Sequence, residues 1–148
     1  MFAKVTFAAL LSVMAVPAMA AQCDVTIEGN DAMQFNTKQI VVDKTCDEFT
    51  INLVHVGKLP KASMGHNVVV TKASDRQAVA NDATKAGPAN NYLPPNDARV
   101  IAATDLIGGG EKTSITFKTA ALEAGGDYDF FCSFPGHWAI MNGKVVVQ

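Results

Sequence analysis

The sequence predicts an all-β fold, a Greek-key antiparallel sandwich or barrel with one short helical flap. Short segments rich in Val, Ile, Thr, Phe and Tyr recur from residue 21 onward, and turn residues separate them at roughly regular spacing. The 128 residues of this part of the chain suit one domain with one core.

Eight segments are predicted to form strands. The first, residues 23–27, alternates apolar and polar residues and ends at Gly29-Asn30-Asp31. The others are residues 39–42, 48–56, 66–71, 99–102, 112–117, 127–132 and 144–147. Eight short strands fit one sandwich domain.

One segment, residues 74–86, departs from the strand pattern. Ser74 with Gln77 three residues later predicts a helix N-terminus with Ser74 as N-cap, and Gly87-Pro88 predicts its end. Because its apolar face is thin, we expect a flap over the sandwich and not a core helix.

Residues 1–20 predict a secretory signal peptide. Lys4 supplies the positive n-region, an apolar stretch follows, and Ala18-Met19-Ala20 forms a small-x-small cleavage site. The apolar stretch is short for a membrane span, and a buried N-terminal helix is the alternative. We therefore expect a signal peptide over residues 1–20 and one domain over residues 21–148.

The charge balance excludes one broad class of partner. Removing Lys4 with the signal peptide leaves 11 basic and 14 acidic residues, a net charge of −3. This is not the basic footprint of a nucleic-acid-binding protein, and the acidic excess is too small to select a partner. No later segment is apolar enough to span a membrane, so we expect a soluble product without a membrane partner.

Cysteine usage indicates one special thiol. The chain has three cysteines, so they cannot all pair within it. In the oxidising compartment that export implies, an unprotected thiol is exposed to oxidation unless it is buried or bound.

A metal-ligating pattern surrounds Cys132. His137 and Met141 follow it within ten residues, so a thiol, an imidazole and a thioether share one loop, and Pro135-Gly136 lets that loop turn tightly. A second imidazole, His66, begins a predicted strand far upstream, and facing strands of a sandwich could bring it to the same point. Each residue alone has an ordinary explanation, but the joint C-x4-H-x3-M spacing predicts a metal site.

The chemistry of these ligands favours one copper ion. Thiolate and thioether donors prefer copper, and two His, one Cys and a long axial Met compose a blue-copper site. Zinc accepts Cys and His, but a thioether is a poor zinc ligand. If Cys132 binds the metal, Cys23 and Cys46 are left to pair, and that disulfide should stabilise the fold by about 3 kcal/mol.

At these residues the chain resembles the cupredoxin family of type 1 blue copper proteins, in particular its azurin branch. The resemblance covers residues 21–148 and is dense in residues 29–37, in Leu59-Pro60-Lys61, in residues 64–67 and in the loop 132–141. The four-residue gap between Cys132 and His137 is azurin-like. The resemblance implies a cupredoxin-like fold, electron transport and a periplasmic location.

The resemblance also implies a role for each site residue. Cys132, His66 and His137 would be strong equatorial ligands, Met141 a weak axial ligand, and the Gly65 carbonyl a second axial contact. The remaining roles fall on residues around the ligands: Asn67 and Ser133 would tie the ligand segments together, and the N–H groups of Asn67 and Phe134 would point at the Cys132 sulfur.

His55 matches a non-ligand histidine of the same family. From the sequence alone it is more simply a packed core residue, although a titrating role that shifts the potential with pH stays open.

The predicted function is an electron carrier and not an enzyme, because no equatorial position is left for a substrate. His137 would be the electron port, surrounded by an apolar patch for docking redox partners: Leu59, Pro60, Met64, Trp138 and Ala139. Each of these could instead be an ordinary apolar surface residue. The expected partners are c-type cytochromes or periplasmic reductases and dehydrogenases, met by a monomer.

Two other functions fit parts of the pattern. A copper storage or delivery protein would also bind the metal through Met, His and Cys, without a redox role. A Cys132–His137 nucleophile pair would give a hydrolase or an oxidoreductase, but it would need an oriented base and an oxyanion site.

Overall fold

The computed structural model describes residues 20–148, and the predicted signal peptide lies outside them apart from Ala20. The chain forms two sheets. The three-stranded sheet has the order β1 (Asp24–Gly29), β3 (Glu48–His55), β6 (Lys112–Lys118). The five-stranded sheet has the order β2 (Gln39–Val42), β8 (Asn142–Val147), β7 (Tyr128–Phe131), β4 (Val69–Lys72), β5 (Val100–Ala103). The predicted β-sandwich class is confirmed.

Both sheets are mixed, whereas the sequence predicted antiparallel pairing. β1 pairs with β3 in parallel, and β2 pairs with β8 in parallel, whereas the other pairs are antiparallel. Alternation of apolar and polar residues predicts which face of a strand is buried but not the direction of its neighbour. The parallel pairs arise because β1 and β2 join different sheets and do not form a hairpin.

The main core lies between the sheets. On β3 every second residue is buried, with Phe49, Ile51 and Leu53 in the core and His55 at the end of the strand. β6 packs antiparallel beside it with Ile115 opposite Ile51. This alternation follows from strand geometry. As a result, one face of β3 contributes Phe49, Ile51 and Leu53 to the core and His55 to the region of the site.

A second apolar cluster covers the outer face of the five-stranded sheet. It contains Val69 of β4 and Phe131 of β7, with Val79 and Ala80 from the helix α2 (Arg76–Ala86), and the half-buried Trp138 packs against it. β4 is therefore buried on both faces, since its Val70 belongs to the main core. The predicted helical flap is this covering element.

The start of α2 differs from the prediction. The N-cap is Asp75 and not Ser74, and its side chain makes no capping hydrogen bond. Ion pairing fixes the first turn instead, since Arg76 Nη1 lies 3.2 Å from the carboxylate Oδ2 of Asp129 on β7. Sequence capping rules describe local hydrogen bonds and do not include this contact with the sheet. Gly87 follows the helix with φ +73°, as the predicted stop requires.

The segment before β4 also differs from the prediction. A four-residue helix, α1 (Lys61–Met64), precedes Gly65, and β4 begins at Val69 instead of His66. His66 makes an isolated antiparallel bridge in which its N–H and C=O each bond to Ile107, both at 2.9 Å. A helix of one turn leaves too short a pattern to be read from the sequence.

The predicted disulfide is confirmed, with Cys23 joined to Cys46 and their Cα atoms 5.7 Å apart. Cys132 is the free thiol, and it is buried. Within residues 20–148, no helix has the length and apolar character needed to cross a membrane.

Candidate metal centre

Three predicted ligands converge at one end of the sandwich. The ligand atoms of His66, Cys132 and His137 all lie within 4.8 Å of one another. Cys132 Sγ is 3.9 Å from His66 Nδ1 and 3.6 Å from His137 Nδ1. The three residues are 0%, 0% and 3% exposed, so the donors form a buried cluster.

The fold brings these residues together from two segments. Cys132 directly follows β7, and His66 lies before β4, the antiparallel neighbour of β7. His137 and Met141 lie in the turn that leads into β8. Backbone hydrogen bonds close that turn, from Met141 N–H to His137 O at 2.8 Å and from Cys132 N–H to Met141 O at 3.0 Å.

His66 has one ring nitrogen engaged and the other directed at the cluster. Its Nε2 lies 2.8 Å from the Asn30 carbonyl oxygen, an acceptor, so Nε2 carries the proton and Nδ1 keeps its lone pair. Burial lowers the pKa of His66, and the hydrogen bond to Asn30 opposes that shift. The neutral ring therefore offers Nδ1 as a ligand atom.

Gly29 provides the space for this ring. A Cβ atom there would lie 2.8 Å from His66 Cδ2, which is closer than side-chain contacts allow. Both Gly29 and Asn30 therefore shape the site, although the sequence indicated only a turn at this position. No signal in one sequence separates a glycine that ends a strand from one that clears a ligand ring.

The Cys132 sulfur is buried but has hydrogen-bond donors. Burial raises the pKa of the thiol to about 12, and hydrogen bonds from the backbone N–H groups of Asn67 and Phe134 act in the opposite direction. Such N–H groups stabilise negative charge on sulfur. The Gly65 carbonyl oxygen lies 3.8 Å from the same sulfur.

His137 is enclosed by aromatic rings. Its ring centroid lies 4.5 Å from that of Phe134 and 5.2 Å from that of His66. Burial lowers the pKa of His137 to about 4, so the ring is neutral above that pH and can act as a donor. The flanking Gly136 and Ala139 are exposed, which places His137 just beneath the surface.

Met141 and Gly65, the predicted axial contacts, are both buried. Met141 is fully buried and belongs to the main core. Gly65 sits so close to α1 that a Cβ atom would lie 2.7 Å from the Lys61 carbonyl oxygen and 3.0 Å from Leu106. A side chain at residue 65 would therefore displace the backbone that carries His66.

Asn67 joins the two ligand segments. Its side chain donates to Ser133 Oγ at 2.8 Å and accepts the Ser133 backbone N–H at 2.8 Å. The same amide donates to the Asn91 carbonyl at 3.1 Å, and Ser133 Oγ donates to the Tyr92 carbonyl at 2.7 Å. Asn91 and Tyr92 were not recognised from the sequence, because backbone carbonyls leave no side-chain signature.

His55 lies beside the three-residue cluster and not within it. Its ring stacks on His66 at 4.2 Å with an interplanar angle of 18°. Nε2 donates to the Met64 carbonyl at 2.8 Å, and Nδ1 accepts the Gly57 N–H at 3.1 Å. Both nitrogens are thus engaged with backbone, which supports the ring of the ligand histidine from behind.

The predicted docking residues differ in exposure. Leu59, Pro60 and Ala139 are exposed, and Met64 is half-buried. Trp138 is half-buried because part of its surface packs against the second cluster, next to α2. Ile140, which the sequence analysis did not include, is 49% exposed beside Ala139.

The donor set fits copper. The cluster offers one thiol and two neutral imidazoles with their Nδ1 atoms toward the sulfur, and it includes no carboxylate among residues 20–148. Sulfur and imidazole together suit copper, whereas calcium and magnesium require oxygen ligands.

Comparison with known proteins agrees with this chemistry. Residues 21–148 match the family described as copper binding proteins, plastocyanin/azurin family. The chain is 68% identical to an azurin of Alcaligenes faecalis over 83% of this chain and 96% of that protein. It is 51% identical to an azurin of Pseudomonas aeruginosa over the full length of both. Among solved structures, an azurin (Az-iso2) of Methylomonas sp. strain J superposes with a TM-score of 0.83 at 45% identity, covering 86% of this chain and 99% of that one.

Proposed function

The chain belongs to the plastocyanin/azurin family of copper-binding proteins, and from this membership we propose that His66, Cys132 and His137 hold the one copper ion with which it transfers single electrons between redox partners. The observation that carries the proposal is the convergence of two imidazole nitrogens and one buried thiol within 4.8 Å. Bound copper supplies a one-electron couple between Cu(I) and Cu(II).

The protein's contribution is to hold the donors in place. The Asn30 carbonyl fixes the His66 ring, the Asn67 amide fixes the Cys132 segment, and the turn from His137 to Met141 is closed by backbone bonds. Donors held this firmly limit the rearrangement that accompanies a change of charge at the metal. Limited rearrangement is what fast electron transfer requires.

Two weaker contacts are part of the proposal. Met141 would hold the copper weakly through its thioether, and the Gly65 carbonyl oxygen would be a second weak contact. The N–H groups of Asn67 and Phe134 would withdraw charge from the Cys132 sulfur and so raise the potential. His55 would support the His66 ring without binding the metal.

The proposal of a carrier without enzymatic activity is supported by the state of the thiol. A nucleophilic cysteine needs a lowered pKa and access to substrate. Cys132 has neither, since it is fully buried and its pKa is raised to about 12. A delivery protein would need ligands open to exchange, and burial of all three donors argues against that role.

Electrons would enter and leave through the His137 side of the site. His137 is the one member of the cluster with any exposed surface, and exposed Gly136 and Ala139 lie beside it. The apolar patch of Leu59, Pro60, Met64, Trp138 and Ala139 would dock partners such as c-type cytochromes or periplasmic reductases and dehydrogenases. Small, apolar contacts suit transient redox encounters. Export by residues 1–20 would place the monomer in the periplasm, where such partners occur.

A visible absorption spectrum tests the proposed function. We expect the oxidised, copper-loaded protein to show an intense thiolate-to-Cu(II) band that disappears reversibly on reduction. Cys132→Ser should abolish the band because no thiolate remains. The matched control Cys23→Ser/Cys46→Ser removes the other two cysteine sulfurs and should keep the band. A colourless oxidised protein would refute the electron-carrier proposal.

A further inference from the structure

Two consecutive non-glycine residues next to the metal centre have left-handed backbone conformations. Asn91 has φ 53° and Tyr92 has φ 52°. Asn91 ends a short 3-10 helix, Pro88–Asn90, a place where an asparagine commonly adopts this conformation. The position of Tyr92 does not explain its left-handed conformation in the same way, because it lies beyond the end of the helix. A bulky residue is also sterically disfavoured in this conformation.

The backbone carbonyls of this turn account for its conformation. The Asn91 carbonyl accepts a hydrogen bond from the Asn67 side chain at 3.1 Å, and the Tyr92 carbonyl accepts one from Ser133 Oγ at 2.7 Å. Asn67 and Ser133 are the residues that join the ligand segments, and each is the chain neighbour of a ligand, His66 or Cys132. The turn therefore presents two acceptors to two side-chain donors that each adjoin a predicted ligand in the chain.

The Tyr92 side chain reaches the site by a second route. Its ring packs edge-on against Phe134 with centroids 5.2 Å apart, and Phe134 in turn packs on His137 at 4.5 Å. Phe134 also provides one of the N–H groups that bond to the Cys132 sulfur. Tyr92 thus contacts the two residues that follow Cys132 in the ligand loop, Ser133 through its carbonyl and Phe134 through its ring.

We propose that the Asn91–Tyr92 turn is a positioning element of the copper centre, whose left-handed backbone aims two carbonyls that hold Asn67 and Ser133 in register with the ligands. This assignment rests on the proposed copper function. In the absence of the turn, the Asn67 amide and the Ser133 hydroxyl would each lose an acceptor in a buried environment, and unsatisfied buried donors reorient. The sulfur of Cys132 would then lose its fixed relation to the Asn67 N–H.

The test compares two substitutions that both remove the Tyr92 ring. The asparagine in Tyr92→Asn tolerates a left-handed backbone, whereas the β-branched valine in Tyr92→Val strongly disfavours this conformation. In copper-free protein, we expect the Ser133 amide, which donates to Asn67, to exchange its hydrogen about tenfold faster in Tyr92→Val than in Tyr92→Asn. In copper-loaded protein, Tyr92→Val should shift the thiolate-to-Cu(II) band and the reduction potential away from those of Tyr92→Asn.

Equal amide exchange, band and potential in the two variants would overturn the proposal, since both lack the ring and they differ in their preference for the left-handed backbone. If Tyr92→Val does not fold, Asn91→Gly and Asn91→Val provide the comparison at the neighbouring position. Glycine tolerates the left-handed backbone and valine disfavours it. Failure of the proposed copper function would be distinguishable, because the wild-type protein itself would then lack the thiolate-to-Cu(II) band. Failure of the turn proposal would leave that wild-type band present.

Discussion

At the scale of single residues, the site depends on which atom of each side chain is left free. His66 uses Nε2 for the Asn30 carbonyl and His55 uses both nitrogens for backbone, so only the first retains a donor atom for the metal. The sequence predicts a ligand at His66 and a packed core residue at His55, and the family resemblance assigns them as ligand and non-ligand. The structural reason is the hydrogen-bond partner of each ring nitrogen, which no local pattern encodes.

Met141→Leu should separate tuning from binding. Leucine keeps the volume of this fully buried side chain, so we expect the free energy of unfolding to change by less than about 1.5 kcal/mol. Copper should still bind through the three remaining donors, while loss of the thioether shifts the reduction potential. Met141→Ala, the control for packing, should shift the potential too but destabilise the fold by about 2–5 kcal/mol. An unchanged potential in both variants would contradict the axial role.

The raised pKa of Cys132 predicts proton release on metal binding. At pH 8 the thiol is protonated, because its pKa is about 12, while His137, with a pKa of about 4, is already neutral. We expect each copper ion to displace about one proton, so the apparent affinity should rise about tenfold per pH unit in this range. Calorimetry in buffers of different ionisation enthalpy measures the proton count. On binding copper, the Cys132→Ser variant should release almost no protons. If the wild-type protein also released none, the thiol would already be ionised before copper binds.

The candidate site was largely predictable from the sequence, because chemistry and spacing are properties of the chain. Cys132, His137 and Met141 lie within one short loop, and His66 follows a recognisable Met64-Gly65 pair. Sequence reasoning did not identify Asn30, Asn91 and Tyr92, whose contributions are carbonyl oxygens. Every residue has a carbonyl, so only the fold determines which ones matter.

At the scale of elements, the helix α2 provides a second layer outside the sandwich. Its buried Val79 and Ala80 cover Val69 of β4 and Phe131 of β7, and Trp138 completes the cluster. Through Trp138, α2 is thus packed near the segment that runs from His137 to β8. The sequence predicted α2 and its end before Gly87, but the first turn is anchored by the Arg76–Asp129 ion pair and not by the predicted Ser74 cap. Contacts between distant elements of this kind are not contained in a local sequence window.

Val79→Ala tests the contribution of this layer. Removing two buried methyl groups should lower the free energy of unfolding by about 2 kcal/mol. Gln77→Ala, an exposed position on the same helix, is the matched control and should change it by less than about 0.5 kcal/mol. Chemical denaturation followed by circular dichroism measures both. Equal stabilities for the two variants would show that α2 packs only loosely on the sheet.

At the scale of the whole molecule, the disulfide and the metal centre lie at opposite ends of β3. Cys46 precedes the strand by two residues, and His55, which stacks on His66, ends it. Eight residues of strand span roughly 25 Å. The parallel pairing of β1 with β3 and of β2 with β8 could not be predicted from the sequence, since it depends on which sheet each strand joins.

Replacing both cysteines, as Cys23→Ala/Cys46→Ala, should therefore affect stability without affecting the copper site. We expect the free energy of unfolding to fall by about 3 kcal/mol, because the unfolded chain gains freedom across the 23-residue separation. The thiolate-to-Cu(II) band should keep its position and intensity. A displaced band would reveal long-range coupling along β3 that the geometry does not suggest.

The parallel pairing of β2 with β8 also governs when the protein can fold. Val42 lies opposite Val147, so the five-stranded sheet takes one edge strand from residues 39–42 and its neighbour from the last residues of the chain. Contacts between such distant positions raise the contact order and slow folding. The first half of the chain cannot complete this sheet while the ribosome still holds the second half. Completion of this sheet must therefore wait for the synthesis of β8, and a chain cut short before residue 142 would leave β2 and β7 without the strand that lies between them.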